Sequence, residues 1–161
     1  MRRTPKNKAT LLYIAAMAAI AVMLTACNHR TVYHHYEQVD ADGWERTDTL
    51  FFHVNAEKTD RMLLEEIGLR VTDQYPFTAT QLIIEQTMLP GNASTTDTLE
   101  CQLTDNDNNF KGPGFSAHQL TFPVKTFLLP AGDSLRIAVH HNMRRTPLQG
   151  ITDIGIHLTK Q

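Results

Sequence analysis

Apolar and polar residues alternate with period two in one stretch of this chain after another. Leu50, Phe52 and Val54 follow that rule, as do Ile67, Leu69 and Val71, and then Leu82 and Ile84. Leu99, Cys101 and Leu103, then Leu135, Ile137 and Val139, and finally Ile154, Ile156 and Leu158 repeat it. Successive strand residues face opposite sides of a sheet, so such runs read as strands with one buried face. Turn chemistry stands between them: residues 40–43, Pro90-Gly91-Asn92, residues 105–109, Gly112-Pro113-Gly114 and Pro130-Ala131-Gly132-Asp133. Residues 56–66 alone read as a helix, of one or two turns. About eight short strands around one core predict an all-β fold, a single antiparallel sandwich of jelly-roll type.

The amino terminus is built differently. Arg2, Arg3, Lys6 and Lys8 precede the apolar residues 11–24, and Leu24-Thr25-Ala26-Cys27 closes the segment. This is a secretory signal ending in a bacterial lipobox. The apolar run falls short of the roughly 20 residues that cross a bilayer. Cleavage is expected before Cys27, with lipid on its sulfur and acyl chains on the new amino terminus; two or more chains give a stable anchor. The expected organisation is a signal over residues 1–26, a lipidated cysteine and tether over 27–31, and one sandwich domain over 32–161.

Four of the 15 basic residues and none of the 17 acids lie in the signal, which leaves 135 residues with a net charge of −6. An acidic surface argues against nucleic acid as a partner and against an electrostatic grip on anionic lipid. With Cys27 lipidated, Cys101 is the one remaining thiol. No intramolecular disulfide is expected, and its alternation with Leu99 and Leu103 makes it a small buried hydrophobe.

Side chains that carry chemistry are present without the spacing chemistry needs. Residues 105–109 (Asp-Asn-Asp-Asn-Asn) resemble the start of a calcium loop, but Phe110 and Ser116 occupy the places of its glycine and bidentate glutamate. They are read as an Asx-rich turn. The pairs His34-His35 and His140-His141 sit on strands, where neighbours face opposite ways, so neither pair chelates one metal. No Gly-x-Ser-x-Gly, His-Glu-x-x-His or phosphate loop occurs. An enzyme, a metal site and a cofactor are therefore not expected. A sugar-binding module remains the alternative; its rings would come from Trp44, Tyr33, Tyr36 and Tyr75, although Trp44 is better placed to cover one end of the sandwich. Asp48-Thr49-Leu50, Asp97-Thr98-Leu99 and Asp133-Ser134-Leu135 are similar to the O-glycosylation acceptor pattern of some bacterial envelope proteins, which marks Thr49, Thr98 and Ser134.

Two longer segments go beyond a generic sandwich. One is Arg70-Val71-Thr72-Asp73-Gln74-Tyr75-Pro76-Phe77; the other runs from Met143-Arg144-Arg145-Thr146-Pro147-Leu148 through Gln149-Gly150-Ile151-Thr152-Asp153-Ile154-Gly155. With the lipobox, Tyr33, Tyr36, Trp44, Asp97-Thr98 and Gly112-x-Gly114, they resemble the GldH family of gliding-motility lipoproteins over nearly the whole mature chain. Phe110-Lys111 departs from the aromatic-Gly pair the family usually carries there. The resemblance implies a non-catalytic envelope lipoprotein of the machinery for gliding over surfaces, beside type IX secretion components, acting through protein partners. Asn28 and the lack of an acidic run after Cys27 favour an outer-membrane anchor facing the periplasm. The matching residues have structural readings: Pro76 holds Tyr75 extended, Gly150 and Gly155 allow a turn and close packing, and Arg144 reaches a carboxylate such as Asp153. They have a functional one too, a docking surface of Tyr75, Pro76, Phe77, Met143, Arg144 and Leu148, since Tyr, Met and Arg are favoured at interfaces. A glycan-binding lipoprotein of a nutrient-uptake system is the alternative function.

The anchor is directly testable. Cys27→Ser is expected to leave the domain folded while releasing it from membranes or leaving an uncleaved precursor, as read by fractionation. A cleaved form that still sediments with membrane would refute lipid attachment at Cys27.

Overall fold

The computed structural model describes Tyr13 and residues 30–161; the cleavage site and Cys27 lie outside the described residues. From residue 30 onward the chain forms eight strands and no helix: β1 (Thr31–Gln38), β2 (Leu50–Val54), β3 (Arg61–Thr72), β4 (Ala79–Leu89), β5 (Ala93–Gln102), β6 (Ala117–Leu129), β7 (Ser134–His141) and β8 (Ile151–Lys160). All ladders are antiparallel, in two four-stranded sheets ordered β1-β8-β3-β6 and β2-β7-β4-β5. That order is the jelly-roll order, in which paired strands run back and forth between the sheets. The sheets meet along β1 with β2 and along β5 with β6.

The alternation read from the sequence fills the space between them. Leu63, Ile67, Leu69 and Val71 of β3 pack with Ile154, Ile156 and Leu158 of β8 against Phe52, Leu82, Ile84, Leu135, Ile137 and Val139 of the other sheet. Cys101 is buried among them, and burial pushes its thiol up to about 12. A thiol held there is neutral and inert at physiological pH.

The helix expected over residues 56–66 does not form. Residues 55–60 are loop, and from Arg61 the chain is the first half of β3. β3 is paired on both sides, to β6 and β8, and these ladders with inward Leu63 and Ile67 outweigh a local helical preference. The contact between Arg144 and Asp153 does not form either. Asp153 lies directly across from Arg70 in the β3–β8 ladder and receives its Nη1 at 3.3 Å.

On the outer face of that sheet the backbone makes room for one ring. Gly68 and Gly155 face each other in the centre of β3 and β8, and the Tyr36 side chain lies where their Cβ atoms would be. The Arg70 guanidinium carbon sits 4.5 Å from the centre of that ring, a cation–π contact added to its pair with Asp153. Any side chain larger than hydrogen at either glycine displaces Tyr36.

A carboxyl group is buried in the core. Glu65 has no solvent exposure. Its Oε2 accepts from Gln86 Nε2 at 2.6 Å, and its Oε1 has no hydrogen-bond partner. Thr95 donates to Gln86 Oε1 at 3.4 Å, and Lys125 Nζ binds Thr95 Oγ1 at 2.8 Å and Asp97 at 2.5 Å, closing the side between β5 and β6. Burial raises the Glu65 carboxyl from 4.5 to about 7, against the smaller opposing pulls of Gln86 and Lys125. A folded-state value above the unfolded one penalises the ionised form. Stability is therefore fullest below about pH 4.5 and declines as pH rises toward 7, by on the order of 3 kcal/mol. Glu65→Gln removes that penalty. Thermal melts are expected to show the variant equal to the parent at about pH 4 and several degrees more stable at about pH 8; a constant difference across pH would refute the ionisation cost.

Candidate functional site

Because every ladder is antiparallel, the connections sort by end. Residues 39–49, 73–78, 103–116 and 142–150, which include the three longest connections, lie together at one end of the sandwich. Residues 55–60, 90–92 and 130–133 lie at the other end with Thr31 and the carboxyl terminus. Both segments that carry the family resemblance, and Gly112-x-Gly114, reach into the long-loop end.

That end is held by a clasp between the first and last long loops. Trp44 N–H donates to the Leu148 carbonyl at 3.0 Å and Leu148 N–H returns the bond at 2.8 Å. The Trp44 ring is buried, donates its Nε1–H to the Asp48 carbonyl at 3.0 Å, and packs edge-on to His141 at 5.2 Å. The Trp44 carbonyl also accepts from His141 Nε2 at 3.1 Å, while His141 Nδ1 accepts from Met143 N–H at 3.2 Å. These partners assign the neutral Nε2–H tautomer. Burial lowers the His141 pKa, and a second ring proton would face the Met143 donor.

The two resemblance segments are fastened to each other as well. Thr72 N–H donates to the Gly150 carbonyl at 2.7 Å, and Gly150, at φ +89°, presses against the Tyr75 backbone with no room for a Cβ. The Tyr75 hydroxyl donates to the Ala79 carbonyl at 3.0 Å, and its ring meets Phe77 edge-on at 5.8 Å. Arg70–Asp153 continues the seam along the sheet.

Of the six residues assigned to a docking surface, the structure places two inside. Tyr75 and Leu148 are buried, Tyr75 against Gly150 and Leu148 beneath Trp44, so neither offers a side chain to a partner. Pro76 and Arg144 are exposed, Phe77 is 38 % exposed, and Met143 is half-buried. Phe77, Met143 and Arg144 line one groove of about 440 Å³ with Arg145, Gln81, Glu100 and Asn142. Asn142 closes its floor by donating to Gln81 Oε1 at 2.6 Å. The two segments thus converge on a groove whose rim is apolar and cationic.

Phe115 was not singled out by sequence reasoning. It is 98 % exposed, beyond Gly114 at φ +146°, on the same end. The available signal was an aromatic residue inside a Gly-Pro-Gly loop, where no alternation supplies it with a core position. The rings named for a sugar platform are placed otherwise: Trp44 and Tyr75 are interior, and Tyr36 lies flat in its glycine trough beside Arg70. Residues 105–109 are an Asx turn, with Asp105 Oδ1 accepting from Asp107 and Asn109 N–H at 2.9 Å each. Among the described residues no three His, Cys, Asp or Glu side chains gather as metal ligands. Thr98 is exposed on β5, whereas Thr49 and Ser134 are half-buried.

A family model described as GldH lipoprotein matches residues 31–158, nearly the whole described domain. No curated protein matches the chain in sequence. Solved structures are similar only in outline. A CocE/NonD family hydrolase from Staphylococcus aureus aligns at 11 % identity and a TM-score of 0.45, over 81 % of this chain and 33 % of that one. Eiger TNF from S. frugiperda aligns at 11 % identity and a TM-score of 0.40, over 83 % of this chain and 94 % of that one. A family GH115 4-O-methyl-alpha-glucuronidase aligns at 12 % identity and a TM-score of 0.42, over 84 % of this chain and 18 % of that one. The chain spans about a third of the length of the hydrolase, and likenesses this distant carry no argument about activity.

The burial pattern separates scaffold from surface. Leu148→Ala is expected to cost about 2–5 kcal/mol, whereas Phe77→Ala and Arg144→Ala should each stay within about 0.5 kcal/mol. Urea unfolding of the three variants measures this; a Phe77→Ala loss as large as that of Leu148→Ala would place Phe77 in the core instead.

Proposed function

The chain belongs to the GldH lipoprotein family, and we propose that it is a non-catalytic component of a gliding or type IX secretion assembly that works by docking protein partners at its long-loop end. Family membership makes it a gliding-motility lipoprotein, lipid-anchored in the envelope. The anchor proposed for it is the Cys27 lipid, in the outer membrane and facing the periplasm. The observation that carries the docking reading is the convergence of the two resemblance segments on one groove, at the end opposite Thr31. A domain tethered next to Thr31 has that end as the one farthest along the strands from its anchor.

The groove chemistry suits a protein surface. Phe77 and Met143 supply apolar area and Arg144 and Arg145 supply forked donors; Phe115 exposes a further ring on the same end, outside the groove. Aromatic, Met and Arg side chains are those enriched where interfaces gain their energy. The buried members of the segments, Tyr75, Leu148 and Gly150, serve by fixing where these groups stand.

Crosslinking of the native, membrane-anchored protein followed by mass spectrometry tests this. Gliding or secretion proteins are expected with the parent chain and lost with a Phe77→Ala, Arg144→Glu double variant that folds normally. Recovery instead of outer-membrane transporters and sugar-binding lipoproteins, unaffected by that variant, would overturn docking at this groove and favour glycan capture.

A further inference from the structure

The end of the sandwich opposite the long loops carries its own exposed apolar patch. Met62 and Leu128 are directly paired across β3 and β6 and are 48 % and 49 % exposed. Both lie on the outer face, with half-buried Leu64 two residues along β3. Side chains of this kind on an outer sheet face usually sit singly. Here they are clustered, and they cluster beside the chain's attachment point.

The ladder places them there. Lys160 N–H donates to the Arg30 carbonyl at 2.8 Å, so β1 and β8 are already bonded at Arg30. Leu63 pairs with Lys160, and Gln161 N–H donates to the Met62 carbonyl at 3.1 Å. Arg30, Lys160, Met62 and Leu128 thus belong to one end of one sheet. From β1 to β6 is three strand spacings, roughly 14 Å. Cys27 precedes Arg30 by three residues, a reach of roughly 10 Å at full extension. The headgroup layer of one leaflet is roughly 5–8 Å deep. A tether that short holds this end against the lipid surface, whatever direction the rest of the domain takes.

From this geometry we propose that Met62 and Leu128, supported by Leu64, seat on the bilayer that holds the Cys27 lipid, so that the domain leans on this end of the sheet's outer face with its long-loop end raised. The proposal rests on the Cys27 anchor described above and adds an orientation to it. The lipid alone would leave the domain free to lean on any face its tether allows. A second, apolar point of contact roughly 14 Å from β1 removes most of that freedom. The contact is hydrophobic in kind: it asks nothing of the acidic net charge, and its strength follows the apolar area withdrawn from water at the interface.

Electron paramagnetic resonance depth measurement tests this on the lipidated mature chain in vesicles of phosphatidylethanolamine and phosphatidylglycerol. Nitroxides are placed by Leu128→Cys or, in a second variant, Met62→Cys, with Gln74→Cys at the long-loop end as reference; Cys101 is buried and takes no label. Labels at 128 and 62 are expected to gain severalfold in oxygen over nickel-chelate accessibility on joining vesicles, with no change at 74. Vesicle flotation reports the anchor separately. Protein that fails to float overturns the anchor and the seating together. Protein that floats with labels 128 and 62 as water-exposed as label 74 overturns the seating and leaves the anchor standing. Labels shielded from both reagents equally in vesicles and in the unlipidated Cys27→Ser chain would mean that a second copy covers the patch, which also overturns it.

Discussion

Trp44 and Leu148 exchange both of their backbone hydrogen bonds across the end of the sandwich. They tie the connection between β1 and β2 to the one between β7 and β8, beside the side-chain bonds of Arg46 to Thr146 and Asn142 and of Thr146 to Glu45. Trp44 covers the core end, His141 donates to its carbonyl while accepting from Met143 N–H, and Leu148 is fully buried. Once residue 148 is fixed, Gly150 is brought against Tyr75, and Tyr75 in turn sets the angle at which Pro76 and Phe77 leave β3. The exposed groove is therefore a consequence of buried contacts one layer beneath it. Loops that carry function on a rigid scaffold need such an underpinning.

Six of the eight strands were legible because each carries apolar residues at alternate, inward positions that survive as a period of two in the sequence. β1 and β6 are the edges of their sheet, and each hides its period for a physical reason. β1 has neither face fully covered, and Val32, Tyr33 and Tyr36 sit among histidines that are exposed or half-exposed. β6 carries Pro123 and a bulge opposite Glu65 and Glu66, which shifts the inward positions by one residue midway. The misread helix has another cause: Glu65 looks solvent-facing in sequence, yet in β3 it takes an inward place between Leu63 and Ile67, opposite Lys125. At the long-loop end, sequence resemblance located the segments and could not sort their members. Tyr75 and Phe77 are equally aromatic on paper, and only the place of Gly150 decides that one is interior and the other is not.

The two ends of the domain answer different demands. Connections of residues 55–60, 90–92 and 130–133 close the Thr31 end, and the apolar pair Met62–Leu128 lies there on the outer face of the sheet. Long loops at the other end present Phe77, Met143, Arg144 and Phe115 at varied heights. A flat apolar patch suits a lipid interface, which has no shape to complement. A grooved, cationic and aromatic surface suits a protein, which does. The strand count produces this polarity directly, since an even number of antiparallel strands starting at Thr31 must return the carboxyl terminus to that end and send every odd-to-even connection to the far side.

Glu65 shows why a perturbed ionisable group needs a second criterion before it marks a site. A carboxyl raised to about 7 is the kind of group from which acid–base chemistry is built. Access is what it lacks. The side chain has no exposed surface, one oxygen is held by Gln86, and the other faces apolar neighbours without a partner. Lys125, the nearest cation, is turned outward to Thr95 and Asp97. No substrate atom reaches the carboxyl without separating the sheets. What the group does is physical: protonated, it is a tolerable polar island beside Gln86, and ionised, it strains the side of the sandwich where β5 meets β6. The pH dependence it confers therefore belongs to the stability of that side rather than to a reaction. Lys125 keeps the opening between the two edge strands closed while Glu65 stays neutral behind it.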